Sequence, residues 1–220
     1  MRTRLSTNED SDVDKPDFKT FARRVEADKR SYCLELFASE RNSFQIKKEK
    51  TIAKNLEKIF DAALAISNRQ SFHAMSMRDL SRQAGLSIGA LYNYFAGKEE
   101  LLQMMQRQRF TITRRFLKAA VTGAVDPRER LRIGIRTHLY LSEAMQPWFY
   151  FSYMESKNLG PEERKAAVQG ELNTEQMFTD ILVSGVDQGL FETEDCRMTA
   201  ALIKAMLQDW YLKRAKYARR

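Results

Sequence analysis

The chain has 220 residues, 43% of them hydrophobic, and a formal net charge of +8 at pH 7. This length suits one large domain or two small ones, and no apolar run approaches the ~18 residues of a membrane span. The N-terminus is too polar for a signal peptide, and the two cysteines, Cys33 and Cys196, suggest neither a disulfide framework nor a zinc cluster. We therefore expect a globular cytoplasmic protein with no metal or cofactor.

The chain contains nine glycines and four prolines, and no repeated alternation of Val, Ile and Thr, which favours an all-helical fold. Residues 1–14 are polar and acidic, as is typical of disorder. Residues 17–40 can form an extra helix, although its apolar positions are irregularly spaced. We expect residues 1–45 to be an N-terminal extension that the fold does not need. A long helix is predicted from Ile46 to about Asn68, with inward positions at Ile52, Leu56, Ile59, Phe60, Ala63 and Ile66.

Residues 76–95 predict two short helices joined by a glycine turn. Ser76 can cap the first helix, and Asp79, three residues later, completes a capping box. Gly85 stands where a left-handed residue must end that helix, and Ser87 can cap the second one. The second helix opens with small residues, so its N-terminal end can approach another surface closely. This is the layout of a helix–turn–helix whose second helix enters the DNA major groove.

These residues resemble the helix–turn–helix of the tetracycline-repressor (TetR/AcrR) family. The resemblance covers roughly residues 50–103 and rests on Arg78-Asp79-Leu80, Ala84-Gly85-Leu86-Ser87, Gly89-Ala90-Leu91-Tyr92, Tyr94-Phe95 and Lys98-Glu99-Glu100-Leu101-Leu102. The chain has residue types unusual for the family at Ser67, Ser71 and Met75. These differences affect packing and turn shape around the first helix and leave the second motif helix unchanged. The resemblance implies a three-helix DNA-binding head at 46–103, followed by a helical body at 104–220 that binds an effector and dimerises.

The charge distribution agrees with a DNA-binding head. Residues 46–125 hold 14 basic and 6 acidic side chains, whereas residues 1–45 hold 9 of each and residues 126–220 hold 14 of each. The whole positive excess therefore coincides with the motif, which favours contact with phosphates.

The resemblance implies that the start of the second motif helix faces base edges. Ile88 and Ala90 can contact only thymine methyls, whereas the Asn93 amide can pair with adenine. Tyrosines and Lys98 are better suited to positioning phosphates. The alternative is that these residues pack against neighbouring helices, cap a helix or lie on a solvated surface without contacting DNA. The DNA-binding candidates are Ser76, Arg78, Ser87, Ile88, Gly89, Ala90, Tyr92, Asn93, Tyr94 and Lys98.

Four further helices are predicted after a connecting helix from Lys98 to about Thr122. Asp126-Pro127 is a strong helix start, because proline is favoured at the first helical position. The predicted helices run from there to about Met145, from Pro147 to near Asn158, from Pro161 to about Gln188, and from Glu194 to near Arg214.

The body is rich in large rings, which indicates either a plain aromatic core or the wall of an effector cavity. About half of these residues suit each interpretation, and a histidine satisfied in the core fits at least as well as a polar anchor. The candidate effector-binding residues are Phe110, His138, Trp148, Phe149, Phe151, Tyr153 and Met177.

We therefore expect a ligand-responsive transcriptional regulator that binds a palindromic operator as a homodimer, most simply a repressor released by a small, mostly apolar effector. No general base with a positioned partner points to catalysis. The alternatives are a helical enzyme or carrier that uses the aromatic cavity, and a constitutive DNA-binding protein without a ligand. The last two helices are the expected dimer interface, through Ala166, Val168, Leu172, Phe178, Leu182, Val186, Leu202, Ala205, Met206 and Trp210.

Overall fold

The computed structural model describes residues 17–40 and 49–217, and within these ranges it is helical without a strand. The all-helical class is therefore confirmed. The helices are α1 (Phe18–Glu40), α2 (Glu49–Ser67), α3 (Met77–Ala84), α4 (Ile88–Tyr92), α5 (Lys98–Thr122), α6 (Pro127–Ala144), α7 (Gln146–Glu155), α8 (Pro161–Asp187), α9 (Cys196–Leu212) and α10 (Arg214–Tyr217). Short 3₁₀ turns at Phe72–Ala74 and Ser156–Asn158 join α2 to α3 and α7 to α8.

Two sequence expectations fall outside the described residues, namely the disorder of residues 1–14 and the helix start at Ile46. In the part of the chain that the structure does describe, no helix is both long and apolar enough to cross a membrane.

The head is built from α2, α3, α4 and the first turns of α5. Ser76 forms the predicted capping box: its Oγ accepts a hydrogen bond from the Asp79 N–H, and its own N–H donates to the Asp79 carboxylate, both at 3.1 Å. Gly85 ends α3 with φ +64°, a conformation that costs other residues a steric penalty. The Ser87 Oγ accepts from the Ala90 N–H at 3.1 Å and so fixes the start of α4. The two motif helices therefore form where the sequence predicts them.

The body consists of α5 to α9. The Asp126 carboxylate accepts a hydrogen bond from the Arg128 N–H at 2.8 Å, and Pro127 occupies the first turn of α6 as predicted. Helices α8 and α9 form a hairpin that packs against α6. The buried side chains Phe178, Leu182 and Leu207 form the core of this end of the molecule.

Helix α1 packs against the head and the body together, in contact with α2, α5 and α6. Phe21 and Val25 are 7% and 1% exposed, and the Phe21 ring meets the Phe116 ring edge to face at 5.3 Å. Arg30 pairs with Glu57 on α2 at 2.6 Å. The apolar spacing of α1 is irregular because three helices cover different parts of its length. This packing argues against our expectation that the fold does not need the extension.

Helix α7 connects the head and the body through two ring contacts that point toward the head. Trp148 meets Phe60 of α2, and Phe151 meets Phe72 of the 3₁₀ turn, both edge to face at 5.4 Å. Glu155, at the end of α7, also accepts a hydrogen bond from the Phe72 N–H at 3.4 Å. The head and the body therefore share one continuous core.

Candidate nucleic-acid interface and effector cavity

The described structure places most of the DNA-binding candidates on the outer surface of α3 and α4. Tyr92 is 50% exposed and Ile88 is 36% exposed, although both residues are large. Their inward neighbour Leu91 is fully buried, so α4 presents one face to the core and the other to solvent. The exposed candidates are Ser76, Arg78, Ser87, Ile88, Gly89, Tyr92 and Asn93. Ala90 is partly exposed at the edge of the same surface.

The two capping serines differ in whether the hydroxyl proton is already used in a hydrogen bond. The Ser76 Oγ already donates to the Asp79 carboxylate at 2.6 Å, and these bonds lower the pKa of Asp79. Among the described residues, Ser87 Oγ takes part only as an acceptor from Ala90. The hydroxyl proton of Ser87 is therefore not used in a hydrogen bond among the described residues, whereas that of Ser76 is used within its own capping box.

Tyr94 and Lys98 are held inside the head more firmly than the motif suggests. Tyr94 is 9% exposed, and its hydroxyl accepts a hydrogen bond from the Asn55 Nδ2 at 2.9 Å. The Lys98 ammonium donates to the carbonyls of His73 and Met75 at 2.5 and 3.4 Å. The tyrosine thus braces α4 against α2, and the lysine closes the 3₁₀ turn that precedes α3. Sequence spacing could not reveal these partners.

A cavity of about 460 Å³ lies between α5, α7, α8 and α9. Three of the candidate effector residues, Phe110, Phe149 and Tyr153, are among the residues that line it. Exposed residues of α8, such as Val168, lie at its rim, so the cavity reaches the surface. Its lining is mixed, with six aromatic or aliphatic residues and eight polar or charged ones, which include three cations and one carboxylate. A concave site with apolar walls and polar groups suits a small molecule.

The other four effector candidates lie elsewhere in the described structure. Trp148 and Phe151 pack into the junction with the head rather than into the cavity wall. His138 is 1% exposed behind Phe149, with ring centroids 5.7 Å apart. Met177 lines a second cavity, of about 490 Å³, between α5 and α8. Helical periodicity predicts that these side chains lie inside the body, but it does not predict which of them line the cavity.

The sequence analysis missed a buried ion cluster at the inner end of the first cavity. The Glu171 carboxylate accepts hydrogen bonds from Arg109 at 2.7 Å and from the Lys204 ammonium. The Arg109 and Lys204 side chains are each only 6% exposed. The Glu171 side chain is 31% exposed, so the cluster consists of two buried cations and a carboxylate that reaches the cavity.

The cluster controls the protonation of its neighbours. Burial raises the pKa of Glu171, but Arg109 and Lys204 outweigh that effect and bring it down to about 2. Burial lowers the pKa of Lys204, and Glu171 opposes the change. Burial and the nearby Lys204 together lower the pKa of His138 to about 3, so its imidazole is neutral at pH 7. His138 is therefore a neutral core residue that has cations as neighbours.

Phe110 contributes to the walls of both cavities. Its ring lies against Gly170 of α8, where an added Cβ would come within 2.5 Å of the ring. That distance is far below van der Waals contact, so α8 can approach α5 here only because residue 170 has no side chain. The Phe110 side chain therefore borders both cavities.

The expected dimer residues divide into buried, half-buried and exposed ones in the structure, and Val186 and Trp210 are the half-buried ones. Phe178 and Leu182, 0% and 4% exposed, are buried within their own chain against α6 and α9, and thus cannot form an interface as they stand. The apolar spacing of a helix does not distinguish a face that packs inside its own chain from one that packs on another. The large apolar side chains left exposed on α8 and α9 are Val168, Leu172, Val183, Met198, Leu202 and Met206.

Comparisons with known proteins agree with this architecture. A family model for bacterial regulatory proteins of the tetR family matches residues 59–105, and one for a tetracycline-repressor-like C-terminal domain matches residues 124–212. The first match coincides with the helix–turn–helix, and the second covers most of the body. The chain belongs to the TetR family and is a DNA-binding transcriptional regulator.

Individual relatives are distant. The chain is 28% identical over 161 residues to the HTH-type transcriptional regulator BetI of Rhizobium meliloti (strain 1021), covering 71% of this chain and 76% of that protein. A TetR-family regulator from Thermus thermophilus, PfmR, is 29% identical with a TM-score of 0.63, covering 70% of this chain and 84% of that one. FadR from Bacillus subtilis, solved with stearoyl-CoA, has a TM-score of 0.61 at 19% identity, covering 74% and 89%, and so shows the fold alone.

Proposed function

We propose that the protein is a homodimeric repressor that binds a palindromic operator through α3 and α4 and is released by a small, mostly apolar effector. The observation that carries this proposal is the position of α7. Its Phe149 and Tyr153 line the cavity, while Phe151 and Glu155 contact Phe72 of the head. A ligand that displaces α7 therefore acts directly on the turn that precedes the DNA-binding helices.

The DNA-binding step follows from the exposed surface of α4. Asn93 offers an amide that can pair with adenine, and Ile88 offers an apolar contact for a thymine methyl. Tyr92, Arg78 and Ser87 surround these residues and are exposed enough to meet phosphates. One head presents few base contacts, so a two-fold pair of heads on two half-sites is the arrangement that supplies specificity.

The dimer rests on the exposed apolar residues of α8 and α9. Leu202 and Met206, which are 58% and 66% exposed, lie one turn apart on α9, and Leu172 is 47% exposed on the adjoining α8. Large exposed side chains grouped in this way are a common mark of a protein–protein interface. Two copies of the hairpin, related by a two-fold axis, would bury these side chains in a four-helix contact.

Release is a population shift between two spacings of the DNA-binding helices. Heads in successive major grooves must lie about 34–36 Å apart, and a ligand that favours another spacing lowers operator affinity. A coupling free energy of about 1–3 kcal/mol gives 5- to 150-fold regulation, and operator DNA must weaken the ligand by the same factor. A precedent for such a ligand is the stearoyl-CoA bound to FadR of Bacillus subtilis.

The proposal is tested by an electrophoretic shift assay on the DNA that flanks the protein's own gene, with and without candidate metabolites. We expect dimeric, sequence-specific binding that falls steeply between about 50 and 200 mM salt, as for roughly 6 to 10 phosphate contacts. Equal affinity for random DNA would favour the constitutive binding protein. Turnover of a bound metabolite without any change in DNA affinity would favour the enzyme or carrier.

A further inference from the structure

The inner end of the cavity between α5, α7, α8 and α9 carries an uncompensated positive charge. Among its described lining residues, Glu171 is the single carboxylate. Glu171 already accepts hydrogen bonds from Arg109, Lys204 and the Gln208 Nε2. Two buried cations thus share Glu171. Glu175, one turn along α8, also acts on Lys204, while Lys157 and Arg164 add positive charge to the lining. A buried charge without a partner is unfavourable because little water reaches it, so this end of the cavity is complementary to an added negative group.

Two donors at the same end have no hydrogen-bond partner in the described structure. They are the Nε–H of Arg109 and the Oγ of Ser152. Both residues line the cavity, and they are only 5% and 4% exposed. Buried donors are almost always paired in folded proteins, so two unpaired donors on residues that line one cavity, from α5 and α7, indicate the place of a ligand acceptor.

The guanidinium of Arg109 is held in place by its neighbours. It lies over the Phe110 ring at 3.8 Å and near the Phe149 ring at 5.2 Å, measured from the guanidinium carbon to the ring centroids. Glu171 holds its other edge at 2.7 Å. A cation fixed between two rings loses little freedom when it binds an anion, because its orientation is already set.

We propose that the effector is an anionic amphiphile, whose carboxylate binds beside Arg109 and Ser152 and whose apolar chain lies against Phe110 and Phe149. This inference rests on the proposed function only in treating the ligand as an effector. The binding of the ligand itself requires no DNA. A cationic ligand would have to pair with Glu171, which already has two cations. A neutral ligand would leave the positive excess unpaired.

The test compares three ligands with the same ten-carbon chain by calorimetry on the full-length protein: decanoate, decanol and decyltrimethylammonium. We expect decanoate to bind at least tenfold more tightly than the other two, since a charge-assisted hydrogen bond is the difference between them. Equal or tighter binding of decanol or of the cation would overturn the proposal. Decanoyl-CoA that binds while decanoate does not would also overturn it, because the recognised charge would then lie outside the cavity.

Two variants with opposite charge changes locate the site. Arg109→Gln should weaken decanoate by about tenfold or more and change decanol little. Glu171→Gln removes the carboxylate that competes for Arg109 while the two rings still hold the guanidinium, so it should strengthen decanoate binding. The matched control is Arg107→Gln, which removes an exposed arginine from the same helix and should have no effect. If Glu171→Gln lost decanoate binding and Arg109→Gln retained it, the carboxylate would not bind beside Arg109 and the proposal would be refuted.

Folding of each variant is checked by its operator affinity without ligand, and Ser152→Ala provides a milder change at the same place. Ser152→Ala should weaken decanoate severalfold, and an unchanged affinity in both Ser152→Ala and Arg109→Gln would rule out this end of the cavity. If decanoate binds as expected but leaves the operator complex intact, the proposed function fails while the anion site stands. If operator release occurs with decanol alone, the proposed function stands and the anion site fails.

Discussion

The ring of Phe151 in α7 meets the ring of Phe72 edge to face, with their centroids 5.4 Å apart. Phe72 belongs to the 3₁₀ turn that leads into α3, and its N–H also donates to Glu155 at the end of α7. One turn of the head is therefore attached twice to a helix that lines the cavity between α5, α7, α8 and α9. This arrangement suggests how a change in the body reaches the DNA-binding surface.

Phe151→Ala should uncouple the effector from DNA release more than it alters either binding event. The substitution removes the ring contact with Phe72 while the cavity wall at Phe149 and Tyr153 remains. We expect the effector-induced loss of operator affinity to shrink by about 0.5–2 kcal/mol, the range seen for coupling residues. Shift assays with and without ligand measure it. If the variant melts at room temperature, Glu155→Ala, which removes the acceptor of the Phe72 N–H and leaves the Phe151 ring in place, is the variant to measure instead.

Asn93→Ala should change the sequence preference of DNA binding, whereas Tyr92→Phe should not. A bidentate amide contact with adenine accounts for about 1–3 kcal/mol at one base pair, while a phosphate contact is the same for every sequence. Competition between operator variants for each protein distinguishes the two effects. Equal losses on cognate and random DNA in Asn93→Ala would remove that residue from the base-reading surface.

Leu202→Glu should disrupt the homodimer without unfolding the chain. Leu202 is 58% exposed, so a carboxylate is harmless in the monomer, but two of them meeting in a dry interface would repel each other. We expect a shift from dimer to monomer in analytical ultracentrifugation and a loss of specific operator binding. The matched control is Val125→Glu, on an exposed position before α6 that should leave the dimer intact.

Phe21→Ala should destabilise the protein by about 3–5 kcal/mol, because a buried ring on α1 is replaced by a cavity. Phe18→Ala, one turn earlier on the same helix, removes a ring that is 42% exposed and should cost far less. Urea denaturation of both variants makes the comparison. Similar small losses in the two would restore the view that residues 1–45 are dispensable for folding.

Acidification should destabilise the protein partly through His138. Its pKa is about 3 in the folded state and ordinarily 6.5, so below pH 6.5 the unfolded chain takes up a proton that the folded chain does not. Stability from this group is therefore complete above pH 6.5 and is lost as the pH falls toward 3, by at most about 1.4 kcal/mol per pH unit. His138→Gln should flatten the decline in unfolding free energy as the pH falls through this window. A parallel decline in both proteins would assign it to other groups.

The parts of this structure that depend on neighbours in sequence were predictable. Ser76 and Asp79, three residues apart, make the capping box, and Gly85 ends α3 as the turn requires. The ion cluster was not predictable, because Glu171 meets Arg109 and Lys204 across 62 and 33 residues. A charged residue looks the same in sequence whether it faces solvent or a buried partner. The packing of the three helices α5, α8 and α9 decides which of the two it faces.

Aromatic residues show the same limit within a single helix. Trp148, Phe149 and Phe151 were all candidates for a cavity wall, yet Phe149 lines the cavity while Trp148 and Phe151 contact the head. A short helix packed on both sides has no polar face to set its orientation. The periodicity of its apolar residues therefore carries no information about which partner each ring meets.

The position of Phe110 against Gly170 also bears on how long a ligand the protein admits. The ring borders cavities of about 460 and 490 Å³, so a smaller side chain at position 110 would enlarge both of them. Under the proposed function, capacity would depend on Phe110 and response on α7, which are different parts of the molecule. Related chains can diverge in the size of ligand they accept through residues 110 and 170 alone, while the apparatus that reports occupancy to the DNA is retained.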